Sequence, residues 1–206
     1  MAIVNELIER YPSLKTCEES ISKACEIIVS AYKNGGKVLT CGNGGSAADS
    51  EHIVGELMKS FCKKRPLKKE FVDKVSSSEE TKVLADNLQG TLEAISLVSQ
   101  SALISAFAND MDPDYIYAQQ VYGYAKDTDV LIALTTSGNS KNTLYAAMTA
   151  KALGCKVISI TGKGGGKIKE YSDCNIAIDE KETYKVQELT LPIYHAICLY
   201  AEDELF

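Results

Sequence analysis

Five short apolar runs punctuate the chain: Lys37–Cys41, Leu92–Leu97, Asp129–Leu134, Lys156–Ile160 and Asn175–Ile178. Their apolar residues mostly do not alternate with polar ones, and each run gives way to Gly, Ser, Thr or charged residues. Strands covered on both faces read this way. Helical periodicity fills the intervals, over Ser46–Met58, Gln100–Asn109, Pro113–Ala125 and Ser140–Leu153, the last stopped by Gly154. Two further helices precede the first strand, over 2–10 and 15–33, the second closing at Asn34-Gly-Gly. A final helix spans Thr183 to Leu205. Strands alternating with helices predict a parallel α/β sheet in one domain covering residues 1–206.

Residues 62–88 interrupt the rhythm. This stretch is polar, with five basic residues between Lys63 and Lys69. It reads as a solvated, partly helical insertion. A functional alternative is a lid whose cations meet an anionic substrate.

A length of 206 residues allows one sizeable core. Net charge is −6, which gives nucleic-acid binding no electrostatic support. No apolar run reaches membrane length, and the N-terminus lacks the basic and apolar regions of a signal peptide. The expected location is therefore the cytoplasm. The seven cysteines are scattered, odd in number and without a CxxC. They read as reduced thiols, mostly buried. Cys41 reads as a small apolar residue ending a strand rather than as a nucleophile.

Two loops look built for anions. Gly42-Asn-Gly-Gly-Ser-Ala47 follows a strand and opens a helix, where free N–H groups suit a phosphate. Its pattern fits a dinucleotide fingerprint, which also needs an acidic residue about 20 positions on, at a strand end. That place holds Cys62-Lys-Lys-Arg65 with no strand before it, which weighs against the dinucleotide reading. Thr135-Thr-Ser-Gly-Asn-Ser140 carries four hydroxyls at a strand-to-helix junction. A helix cap needs one, so the excess favours a phosphate cradle. Thr161–Lys167 lacks the spacing of a P-loop and reads as a turn.

The chain has two histidines. His52 and Glu56 lie four apart on one helix face, able to bind a divalent metal or act as acid and base. Gln187 and His195 lie eight apart on the last helix, ~12 Å along its axis. One metal cannot easily take both from a straight helix. Either Pro192 breaks the helix, or the two residues serve sites shared between subunits.

Together, CGNGGSAADSEH-x3-E, AFANDM, TTSGNS-x-N and VQE-x6-H resemble the SIS-domain phosphoheptose isomerases, also called sedoheptulose 7-phosphate isomerases. The resemblance spans nearly the whole chain. It implies a flavodoxin-like three-layer sandwich with a five-stranded parallel sheet and two N-terminal helices. It also implies a homotetramer with active sites between subunits, acting on a sugar phosphate. By the same resemblance, Zn²⁺ ligands fall on His52, Glu56, Gln187 and His195, and the acid/base pair on Glu56 and His195. The substrate loop falls on Asn43, Gly44, Gly45 and Ser46, with Glu56 and Gln187 also at the sugar and an Asn-Asp pair on Asn109 and Asp110. Phosphate-binding hydroxyls fall on Thr135, Thr136, Ser137 and Ser140.

The chain departs from the family in its long 62–88 segment, in Tyr184 where some members are acidic, and in Pro192. These departures bear on which sugar is used. The expected reaction converts sedoheptulose 7-phosphate to D-glycero-D-manno-heptose 7-phosphate through an enediol. The alternatives are an isomerase for another sugar phosphate, or a non-catalytic module that senses a sugar phosphate or docks a protein.

Overall fold

The computed structural model describes residues 1–206. Its sheet has five strands, all parallel, in the order β2-β1-β3-β4-β5. They are β1 (Val38–Cys41), β2 (Ala94–Ser96), β3 (Val130–Leu134), β4 (Lys156–Thr161) and β5 (Cys174–Ala177). Each lies within two residues of an apolar run in the sequence. Both faces are covered, which is why the runs do not alternate. Val38, Val130, Ile132, Leu134, Ile158 and Ile160 point into one core. Leu39, Cys41, Leu131, Ala133 and Val157 point into the other.

The first core is closed by α1 (Ala2–Arg10), α2 (Glu18–Lys33), α3 (Gly45–Met58) and α9 (Thr183–Leu205). The second is closed by α7 (Ile116–Tyr124) and α8 (Lys141–Ala152). The result is the expected three-layer sandwich. Small differences have local causes. Residues 12–17 form a 3-10 turn because Pro12 fixes the chain at its first position. A similar turn at Pro113–Tyr115 precedes α7.

The 62–88 segment folds as α4 (Lys69–Val75) and α5 (Glu79–Asn87), neither with a buried residue, as a solvated insertion should; Arg65, ahead of them, departs from that expectation and is buried. The helix α6 (Ser101–Asp110) is different. It is apolar at Ala102, Leu103, Ile104, Ala106, Phe107 and Ala108, yet buries none of them. The turn Thr161–Lys167 buttresses the loop after β3. Ile168 N donates to Gly138 O at 3.0 Å, and Lys167 N donates to Oδ1 of Asn139 at 3.1 Å.

Strand order places β1 between β2 and β3, so chain direction across the sheet reverses there. The loops leaving β1 and β3 meet in the crevice beyond the strand ends, the usual place for a ligand in an open α/β sheet.

Candidate active site

The loop after β1 turns at Gly44, whose φ of 57° is the left-handed conformation that favours glycine. Helix α3 starts at the next residue, with Ser46 buried in its first turn. Asn43 stays exposed and exchanges two hydrogen bonds with Asn142 on α8, at 2.8 and 2.9 Å. This pair ties the glycine loop to the hydroxyl loop.

The hydroxyl loop turns at Gly138, with φ 66°. Thr135 donates its hydroxyl to Ser140 at 3.2 Å, and the Ser137 hydroxyl accepts from Asn139 N at 3.1 Å. Ser140 sits at the cap position of α8, yet its side chain accepts no helix N–H. Capping by Ser140 therefore does not explain the hydroxyls, which sit in the loop that leads into α8.

His52, Glu56 and His195 come together between α3 and α9. Nε2 of His52 lies 3.0 Å from Oε1 of Glu56. The rings of His52 and His195 have centroids 5.1 Å apart, edge to face. Lys59 donates to the other Glu56 oxygen at 2.9 Å. The Glu56 side chain is only 12% exposed. Burial alone would raise its carboxyl, but Lys59 and His52 outweigh it and hold the group below the usual carboxylate range. For His195, burial first and His52 second push the imidazole down, keeping it neutral. Its Nε2 is buried and has no hydrogen-bond partner.

That orphaned nitrogen suits a ligand or a proton carrier. The donors also suit Zn²⁺. Two ligands on a tetrahedral zinc with ~2 Å bonds stand roughly 3.3 Å apart, and His52 Nε2 and Glu56 Oε1 are separated by 3.0 Å. No three His, Cys, Asp or Glu side chains close fully to metal distance within the chain.

Gln187 does not join them. A Cβ on Gly45 would sit 2.7 Å from the Gln187 amide nitrogen, so this side chain lies over the first turn of α3. Helix α9 runs unbroken through Pro192, which removes the broken-helix explanation. Asn109 and Asp110 bond to each other at 2.9 Å, at the exposed end of α6. Neither hydrogen-bonds to the two loops. Asp110 lines a separate cleft of about 680 Å³ with Phe107, Met111 and Tyr122.

Cys41 is fully buried and its thiol is pushed up to about 12 by burial, which makes it inert. Tyr184 is exposed at the start of α9.

Sequence reasoning passed over three contributors. Lys59 stands three residues after Glu56, a spacing that brings side chains together on a helix. Asp49 stands three before His52 by the same rule. Tyr194, beside His195, reads in sequence as part of an apolar stretch, and nothing there marks its hydroxyl as bonded.

Two SIS-domain family models match the chain, over residues 3–91 and 89–200. A phosphoheptose isomerase of Aliarcobacter butzleri is 34% identical over 208 residues, covering 99% of this chain and 97% of that protein. One from Clostridium acetobutylicum is 37% identical, covering 91% of this chain and 84% of that protein. The solved phosphoheptose isomerase GmhA from Neisseria gonorrhoeae superposes with a TM-score of 0.76 at 28% identity, over 98% of this chain and 96% of that one.

Proposed function

The chain belongs to the SIS-domain phosphoheptose isomerase family, and we propose that it interconverts sedoheptulose 7-phosphate and D-glycero-D-manno-heptose 7-phosphate through an enediol. The observation that carries this reading is the convergence of an ionised Glu56 and a neutral, unpartnered His195 between α3 and α9. An aldose–ketose isomerase needs one group to take the proton next to the carbonyl. It needs a second to move a proton between the two oxygens. Glu56 and His195 supply these two functions. Acid/base assistance of this kind is worth ~10²–10⁴-fold.

Thr135, Thr136, Ser137 and Ser140, with the amides opening α8, hold the phosphate. Asn43, Gly44, Gly45 and Ser46 line the adjoining side, and Asn142 keeps the two loops in register. Asn109 and Asp110 reach the sugar only if α6 is brought to a neighbouring site. His52, Glu56, His195 and Gln187 would hold a Zn²⁺. When bound, it supplies a Lewis acid for the carbonyl and enediolate oxygens.

The reading includes a homo-oligomer, a tetramer with shared sites. Gln187 lies too far along α9 to join His195 at one ion, so a neighbouring copy supplies it. The apolar face of α6, with Leu103 exposed and Ile104 and Phe107 only half-buried, gives a second copy something to bury. The cytoplasm suits seven unpaired cysteines. No helix is long and apolar enough to cross a membrane.

The test is direct. Purified protein is offered C5 to C7 ketose and aldose phosphates in deuterated water, and its zinc content is measured. Conversion of sedoheptulose 7-phosphate with deuterium entering next to the carbonyl, lost in Glu56→Gln, is the expected result. Binding without turnover of any sugar phosphate would make the chain a sensor instead.

A further inference from the structure

Tyr194 is 1% exposed in the middle of α9, yet its hydroxyl reaches two polar partners on α3. It lies 2.9 Å from Nδ1 of His52 and 3.2 Å from Oδ1 of Asp49. A phenol has one proton to donate, and a carboxylate only accepts. The bond to Asp49 therefore uses the phenol proton. With that proton donated to Asp49, the phenol oxygen is left as an acceptor toward His52, and in this arrangement Nδ1 carries the ring proton. In a neutral imidazole that leaves Nε2 as a bare lone pair.

Nε2 faces the Glu56 oxygen 3.0 Å away, which is a second acceptor. In that tautomer two acceptors face each other, and the contact that helps to keep Glu56 ionised forms only when a proton or a cation lies between them. The ring of Tyr194 also stands edge-on to both His52 and His195, with centroids 5.5 and 5.0 Å away. One buried side chain thus meets both histidines and bonds to Nδ1 of one of them.

We propose that Tyr194 is a positioning residue that relays Asp49 to His52, locking His52 in the Nδ1–H tautomer so that its Nε2 lone pair is presented beside Glu56. The use of that lone pair for a divalent cation rests on the zinc-assisted isomerase reading above. A histidine that ligates a metal is held in the same way elsewhere, by a partner on its other nitrogen.

The test separates the two claims. Long-range ¹H–¹⁵N correlation spectra of the metal-free protein above the imidazole titration read the tautomer of each histidine, and a chain with two histidines assigns readily. His52 is expected as Nδ1–H in the parent. In Tyr194→Phe, which keeps the ring and its packing, Nε2–H should appear. Asp49→Asn should have the same effect. Zinc affinity, measured by competition with a chromogenic chelator, should fall roughly 10–100-fold in both variants. Nε2–H in the parent, or a His52 signal unchanged by Tyr194→Phe, overturns the relay. If the parent shows Nδ1–H, and Tyr194→Phe loses it, but no variant or parent binds zinc, the relay stands and the metal reading falls.

Discussion

Gln187 and His195 share one unbroken helix and meet opposite ends of α3: Gln187 packs on Gly45, while His195 stands ring to ring with His52. The helices α3 and α9 run side by side in the same sense. Tyr194 reaches Asp49 midway, and Glu202 reaches Phe61 beyond the far end. The spacing along α9, ~12 Å, is several times a ~2 Å metal–ligand bond. In the zinc reading proposed above, His52, Glu56 and His195 would draw together on one ion from one chain, and Gln187 would come from another.

Complementation follows from that division. Glu56→Ala, His195→Ala and Gln187→Ala should each abolish turnover as pure oligomers. Mixed and reassembled, Glu56→Ala with Gln187→Ala should regain activity at roughly a quarter of the sites. Glu56→Ala with His195→Ala should regain none, because the same chain supplies both. Recovery in the second mixture would show that His195 crosses the interface instead.

The hydroxyl loop makes a different prediction. The Ser137 hydroxyl accepts from Asn139 N just ahead of α8, and Ser140, at the head of α8, is not used as a cap. Ser137→Ala and Ser140→Ala should each raise KM for the sugar phosphate, by about tenfold for one charge-assisted hydrogen bond, and leave melting temperature nearly unchanged. Remote binding energy also supports turnover, so kcat should fall by less than KM rises. Unchanged KM in both variants would place the phosphate elsewhere.

Cysteine labelling checks the burial pattern. Cys41 and Cys198 are fully buried, and burial pushes the Cys41 thiol up to about 12. Cys62 alone is exposed. Native protein treated with iodoacetamide at pH 8 should gain one adduct per chain, at Cys62, by mass spectrometry. Activity lost through modification of Cys41 would return that residue to the chemistry.

Much of the fold was legible because parallel strands buried on both faces leave continuous apolar runs. Helix α9 was bounded correctly at Thr183 and Leu205 because Leu, Ile and Val recur along it to the end. The linear sequence could not show that α3 and α9 lie side by side in the same sense. That relation brings His52 to His195 and separates Gln187 from both. The Asp49–Tyr194–His52 chain was hidden for the same reason, since its members come from two helices 142 residues or more apart. The bond between Arg65 and Glu202 spans 137 residues and left no local signal either.

Arg65 and Glu202 make the last prediction. Their side chains are 0% and 1% exposed and bond at 2.7 Å. Arg65 also donates to the carbonyls of Glu56 and Leu57, closing the end of α3 that carries Glu56. The Glu202 carboxylate accepts from the backbone N–H groups of Phe61, Cys62 and Lys63. Burial works to raise that carboxyl, but the three N–H donors and Arg65 outweigh it and bring it down from 4.5 to about 2. A carboxyl depressed by folding stabilises the native state above its unfolded value, and the contribution is lost as pH falls through the folded value. The window therefore runs from about 4.5 down to about 2. The contribution at neutral pH is about 3 kcal/mol, of which about 2 kcal/mol is gone at pH 3. Urea unfolding at pH 7 and pH 3 should show the parent losing about 2 kcal/mol more than Glu202→Gln. The variant should also start lower at pH 7, by about 3–5 kcal/mol, because Arg65 is left buried without its partner. Its kcat should fall as well, since the end of α3 that holds Glu56 is no longer tied to α9. Equal losses between pH 7 and pH 3 in parent and variant would show that Glu202 is not held ionised by these contacts.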